Sequence, residues 1–169
     1  MKYSIFLETL LTAFEESSLK SSILLETLDK GLVKFSLKKL VLKCDKNKVD
    51  SIFIADHTYL GNKGEIFECT ALMAAFAALT KKIKIGSIHL ANNFRHPALV
   101  AKYLSTLSHI SNGRVILFYD YAWRQSEFSQ TGIDFEKVNK RVSRMIEGLN
   151  IIKQSFNKDK VNFSGKFYK

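Results

Sequence analysis

A chain of 169 residues, 46% hydrophobic and 25% charged, is long enough to bury a core and too evenly apolar to be disordered. Its formal charge of +10 is spread along the whole length, and the densest group (Lys34, Lys38, Lys39, Lys43, Lys46, Lys48) lacks interleaved aromatics, so nucleic-acid binding is not expected. Two cysteines build neither a disulfide framework nor a metal cluster, and no signal peptide or run of ~20 apolar residues is present, so the chain reads as cytoplasmic with no membrane partner.

Lys2 to Leu7 reads as a first strand. Residues 9–31, rich in leucine (Leu10, Leu11, Leu19, Leu24, Leu25, Leu28), read as one or two helices with no assigned role. Val33, Leu37, Leu40, Val41 and Cys44 form the apolar face of a helix leading to Ser51–Ala55, a short apolar run bounded by Asp50 and Asp56 that reads as a buried strand. Residues 66–79 are apolar nearly all round and rich in alanine, as a buried helix is. Residues 83–90 read as the next strand. Pro97 sits where a first helical residue belongs and opens a helix to about Ile110, and Gly113 turns the chain into a strand at Val115–Tyr119. Val138, Val142, Met145, Leu149, Ile152 and Phe156 recur at helical spacing and predict one buried face. Val161 to Tyr168 reads as a small terminal hairpin.

Strand and helix thus alternate four times with short links, which predicts an α/β fold of right-handed parallel βα units in a single domain, 1–169. Four such units suit half of a (β/α)8 TIM barrel or a small doubly wound sheet, and periodicity leaves both open.

Several strings narrow the choice. Asp50-Ser51-Ile52-Phe53-Ile54-Ala55-Asp56-His57 resembles the second-strand signature of the luciferase-like monooxygenase superfamily. Thr80 to Gly86 and Asn92 to Lys102 look like that family's third strand, loop and third helix. Thr106 to Val115 is similar to its turn into strand four, and Trp123 and Glu127 match a Trp and Glu that commonly follow. The similarity runs from about residue 32 to 169, with 1–31 atypical.

The resemblance implies the N-terminal half of a TIM barrel, about four of eight units. It also implies reduced FMN, supplied by a separate reductase, or the related deazaflavin, bound at the strand C-termini. The implied partners are a small organic substrate and oxygen, with a second copy or a complementary half-barrel chain to complete the fold. His57 directly follows a buried strand and becomes the candidate acid/base, with Asp56 beside it. Asn92, Asp120 and Trp123 become candidate cofactor-binding residues. Arg95 and His96 read as anchors of their loop, and Glu127 as a charge at a helix N-terminus.

Where the family has Gly-x-Gly-x-Gly-Trp, this chain has Phe118-Tyr119-Asp120-Tyr121-Ala122-Trp123. Side chains at 118 and 120 are expected to crowd the cofactor, and the Asp120 carboxylate to repel a reduced, anionic flavin. The expected function is therefore a luciferase-like flavin-dependent oxidoreductase, read as an FMN-dependent monooxygenase that is inactive alone. A non-catalytic flavin-binding scaffold and a deazaflavin-dependent reductase are the alternatives.

Overall fold

A computed structural model describes residues 22–25, 33–47, 49–59 and 66–169. The expected first strand at Lys2–Leu7 lies outside the described residues. In chain order the elements are β1 (Ser22–Leu25), α1 (Val33–Lys46), β2 (Ser51–Ile54), α2 (Cys69–Leu79), β3 (Lys84–Ala91), a short 3-10 turn (Asn92–Phe94), α3 (Pro97–Ser111), β4 (Val115–Asp120), α4 (Gln125–Thr131) and α5 (Val138–Asn157). Among the described residues the four strands are all parallel, in sheet order β1-β2-β3-β4. β2, β3 and β4 are therefore parallel and adjacent in chain order, as expected from consecutive crossovers.

The start of that sheet corrects the sequence reading. Ser22–Leu25, read as helical, is a strand paired with β2 from Ser22–Ser51 to Leu25–Ile54. A four-residue run such as Ser-Ile-Leu-Leu carries no period that separates strand from helix, so pairing with the β2 edge decides it. The terminal hairpin is also corrected. Residues 158–169 contain no strand, and the backbone near the end of the segment is instead bound by Glu147 of α5. Its carboxylate accepts the backbone N–H groups of Lys166 (2.9 Å), Phe167 (2.9 Å) and Tyr168 (3.3 Å).

Side chains alternate across each strand. Ile52, Ile54 and Ile85 face the helices and join Met73, Phe76, Val100, Leu104 and Leu107 in the main core, where Cys44 and Cys69 also lie as buried free thiols. Burial raises the Cys44 pKa to about 11, so it stays an unreactive thiol. Phe53 and Phe118 lie on the opposite face, their ring centroids 5.4 Å apart.

Three devices fix the ends of the elements. The Glu68 carboxylate caps α2 by accepting from Ala71 N at 2.6 Å. His96 Nδ1 accepts from Ala98 N at 3.3 Å, with Pro97 next as the first helical residue of α3. Arg114 spends all five of its guanidinium N–H groups on Ser111 O, Thr80 Oγ1, Ile83 O, Ala77 O and Thr80 O. One cation thereby satisfies carbonyls at the C-terminus of α2, where the helix dipole is negative, and ties them to the entry of β4.

α5 departs from expectation in burial, not in extent. Of the predicted buried face, Ile152 is buried, while Val138, Leu149 and Phe156 are 55%, 37% and 53% exposed.

Candidate functional site

β2, β3 and β4 all deliver their C-terminal ends to one side of the sheet, and the site gathers there. Extended backbone after β2 carries Asp56 and His57 over the sheet edge. The end of β4 and the loop after it bring Asp120, Trp123 and Arg124, and the short α4 brings Glu127. Together these residues line a cavity of about 50 Å³, with Ala91 and Ala122 among its small neighbours.

The central contact joins His57 Nδ1 to Glu127 Oε1 at 2.6 Å. Glu127 is only 2% exposed, and Arg124 Nε lies 3.7 Å from the same oxygen. An ionised carboxylate can only accept, so a bond to it is donated by an N–H at Nδ1, and a neutral imidazole bonded in this way has its lone pair at Nε2. The Trp123 ring stands edge-on to His57 with centroids 6.5 Å apart, and is itself stacked by Arg124 at 5.0 Å. The reading of Glu127 as a helix-end charge missed this pairing. No local pattern signals it, because the two residues are 70 positions apart.

Asp56 is held tightly. One carboxylate oxygen accepts Ala91 N (2.9 Å) and Arg95 Nη1 (2.6 Å), and the other accepts Arg95 Nη2 (2.8 Å). Arg95 also donates to Glu68 Oε1 at 2.5 Å. Burial works against the Arg95 charge, yet the bonds to Asp56 and Glu68 outweigh it and hold its pKa above the ordinary value. Arg95 and His96 therefore do anchor their loop, locking the start of α3 to the exit of β2.

Asn92 is placed elsewhere. Its carboxamide accepts from Tyr119 OH at 2.6 Å and donates to Tyr168 OH at 3.1 Å, on the helix side of the sheet. A β-carbon at Gly148 of α5 would strike this carboxamide, so glycine is what lets α5 approach so closely. Asn92 and Tyr168 line a second, open cavity of about 360 Å³ beside Arg144 and Glu136. The structure thus brings His57, Asp56, Asp120 and Trp123 together and leaves Asn92 apart from them.

The loop after β4 shows how the chain manages without the family's glycines. Ala122 adopts φ 55°, a left-handed conformation that glycine takes freely and alanine does not. The Asp120 carboxylate turns back to accept from Tyr121 N at 2.6 Å. Phe118 lies against Phe53 and, at 6.2 Å, against His89, covering the face of the sheet away from the helices. The peptide bond between Ile88 and His89 in β3 is cis.

The family profile described as luciferase-like monooxygenase matches residues 32–169. The chain belongs to the luciferase-like monooxygenase family. The F420-dependent glucose-6-phosphate dehydrogenase of Amycolatopsis mediterranei (strain U-32) is 30% identical over 135 residues, 78% of this chain and 40% of that protein. The pyrimidine monooxygenase RutA of Serratia proteamaculans (strain 568) is 33% identical over 103 residues, 60% of this chain and 28% of that one. In fold, the oxygenating constituent of 3,6-diketocamphane monooxygenase from Pseudomonas putida, a structure in complex with FMN, superposes with a TM-score of 0.73 at 20% identity. That superposition covers 90% of this chain and 43% of the other. The chain spans about 40% or less of the length of these curated luciferase-like relatives. The alternative of a doubly wound sheet is thereby set aside in favour of barrel units.

Luciferase-like relatives use FMN or the deazaflavin F420. The described residues do not by themselves fit such a ring system. A cavity of roughly 150 Å³ is what holds a single benzene, and the one here is about 50 Å³. Phe118 occupies the adjoining sheet face, and three carboxylates (Asp56, Asp120, Glu127) line the space. What these residues build is one wall of a cavity, with the hydrogen-bonded His57 and Glu127 upon it.

Proposed function

We propose that this chain is the acid–base portion of a luciferase-like oxidoreductase acting on a small organic substrate, with the cofactor bed supplied by further polypeptide. The contact that carries this reading is His57 Nδ1 to Glu127 Oε1 at 2.6 Å. Oxidising an alcohol requires a base for the hydroxyl proton, and reducing a carbonyl requires an acid for the new alkoxide. His57 Nε2 serves either direction. Glu127 is a positioning residue that fixes the tautomer and balances the imidazolium as it forms. Arg124, with Nε 3.7 Å from the same oxygen, sets a positive charge beside the buried carboxylate. Asp56 acts indirectly: by gripping Ala91 N and Arg95 it sets where the backbone releases His57. Asp120 and Trp123 form the mouth, where the exposed indole offers a flat apolar surface to substrate. Asn92 supports the site from behind, through Tyr119 and Tyr168.

Deazaflavin-dependent dehydrogenation of a hydroxylated substrate is the favoured reaction, because a carboxylate-backed histidine suits it and the Amycolatopsis relative is a dehydrogenase of that cofactor class. FMN-dependent oxygenation is the second reading, favoured by the similarity to the Serratia pyrimidine monooxygenase. The test is to co-express this chain with the portion of the Amycolatopsis dehydrogenase that follows the matched region and assay both activities. Dehydrogenation with F420 that falls by roughly 100-fold or more in kcat on His57→Ala supports the first reading. Oxygenation with FMN and the same His57 dependence selects the second. A complex in which His57→Ala leaves either activity unchanged removes His57 from the chemistry, and one without either activity marks a non-catalytic scaffold.

A further inference from the structure

Of the three carboxylates at the cavity beside His57, two are matched by cationic groups and one is not. Asp56 takes two guanidinium bonds from Arg95, and Glu127 has His57 at 2.6 Å and Arg124 Nε at 3.7 Å. Asp120, the last residue of β4, has neither kind of neighbour. Its carboxylate accepts the backbone N–H of Tyr121 at 2.6 Å, and among the described residues no lysine, arginine or histidine forms an ion pair with it. Arg124, the cation of the mouth, is committed to the chain itself: it stands beside Glu127 and over the Trp123 ring at 5.0 Å. The unanswered charge at this cavity is therefore negative. Trp123 adds to that preference, because an exposed indole takes an ammonium group as it takes this guanidinium. The cavity of about 50 Å³ sets the size of what enters: one water needs about 10–15 Å³, so the space suits roughly three or four heavy atoms.

We propose that the site selects a short amino alcohol, with its ammonium on Asp120 and its hydroxyl at His57. This rests on the acid–base reading of His57 and adds the substrate class to it. An ammonium gives Asp120 the charge-assisted hydrogen bond that the chain does not supply. A neutral diol of the same size leaves that charge without a counter-charge. A hydroxy acid brings a second carboxylate against the first, so repulsion sharpens the choice that attraction makes.

Binding to the whole chain tests this without any turnover. Trp123 is the only tryptophan, so its fluorescence reports on the mouth directly. The probes are 2-aminoethanol, ethylene glycol and glycolate, similar in size but cationic, neutral and anionic near pH 7, each titrated at constant ionic strength. 2-Aminoethanol should give a saturable change with a Kd of roughly 1–10 mM, as weak as so small a ligand dictates. The other two should bind at least about tenfold more weakly. Asp120→Asn keeps an acceptor for Tyr121 N and removes the charge. It should weaken 2-aminoethanol by at least about tenfold and abolish its advantage over ethylene glycol. Asp134→Asn, which removes an exposed carboxylate from the other cavity, should change neither. If Asp120→Asn no longer melts cooperatively, Asp120→Ser, which also offers an acceptor, takes its place. No saturable response to 2-aminoethanol below 100 mM, equal binding of ethylene glycol, tighter binding of glycolate, or an Asp120 variant that binds as the parent does would each overturn the proposal. The two readings fail separately. A completed enzyme indifferent to His57→Ala removes the acid–base role and leaves Asp120 as the ammonium site, whereas a lost amine preference leaves His57 in place.

Discussion

Nδ1 of His57 lies 2.6 Å from Oε1 of Glu127, 70 positions further along the chain. The histidine arrives on the exit of β2 and the glutamate on α4, so the pair exists only when the strands are assembled in order and the loop after β4 folds back. Glu127→Gln keeps the shape of the contact and removes the charge that balances an imidazolium. In a completed enzyme it should lower kcat by about tenfold or more with little change in KM. Glu127→Ala should in addition lower folding stability by roughly 1–3 kcal/mol, because the buried partners lose their acceptor. Both are read by steady-state kinetics and urea unfolding, and equal kcat in Glu127→Gln and parent would end the assigned role.

Arg114 gives the sharpest stability prediction. Its five donated hydrogen bonds close the end of α2 and the start of β4. Arg114→Ala should cost roughly 2–4 kcal/mol in urea unfolding, since several carbonyls lose their donor together. Arg114→Lys should recover little, because one ammonium cannot reproduce the planar fork. Full recovery by lysine would show that charge alone matters there.

Ala122 should tolerate glycine unusually well. Buried alanine changed to glycine ordinarily costs about 1 kcal/mol, from lost apolar contact and added chain entropy. At φ 55° the release of left-handed strain, about 1–2 kcal/mol, runs the other way. Ala122→Gly should therefore be neutral or stabilising by up to about 1 kcal/mol in thermal or urea melts, and a clear loss would place the strain elsewhere.

Acid should loosen the molecule at Asp45 and Glu68. Burial acts to raise the Asp45 pKa, but the backbone N–H groups of Ile83, Lys82 and Lys81 outweigh it and hold the carboxyl below its ordinary value. Glu68 behaves alike: burial opposes, and Ala71 N, Arg95 and Thr70 prevail. A carboxyl lowered in the folded state stabilises above its unfolded pKa, about 4, and loses that contribution as pH falls through the lower folded value. The parent should thus lose stability steadily below about pH 4.5, and Asp45→Asn should lose less over the same range. Parallel pH profiles for the two proteins would rule out Asp45 as a contributor.

Cofactor affinity should be poor in the chain alone. With Phe118 against Phe53 and His89, and a cavity near 50 Å³, FMN should bind with a Kd weaker than roughly 100 µM by fluorescence quenching. In the reconstituted complex, Phe118→Gly with Asp120→Gly should tighten binding. Tight binding by the unmodified chain would show that the two side chains move aside at little cost.

What the sequence by itself determined is the local and the periodic. Ser51–Ile54, Lys84–Ala91, Val115–Asp120 and the helices after them were legible because a buried strand and an amphipathic helix each stamp a period on the residues. That His57, Asp120 and Trp123 share one side of the sheet was legible because parallel βα units place strand C-termini together. Tertiary structure alone decided the rest. It made a strand of Ser22–Leu25, because pairing with β2 outweighs a composition that suits a helix equally well. It turned the expected terminal hairpin into a segment hung from Glu147, because one carboxylate facing three N–H groups replaces a ladder. It moved Asn92 away from His57 and joined Glu127 to it, because side-chain direction at a strand exit depends on the loop that follows. Partners 70 residues apart leave no mark on the sequence near either one.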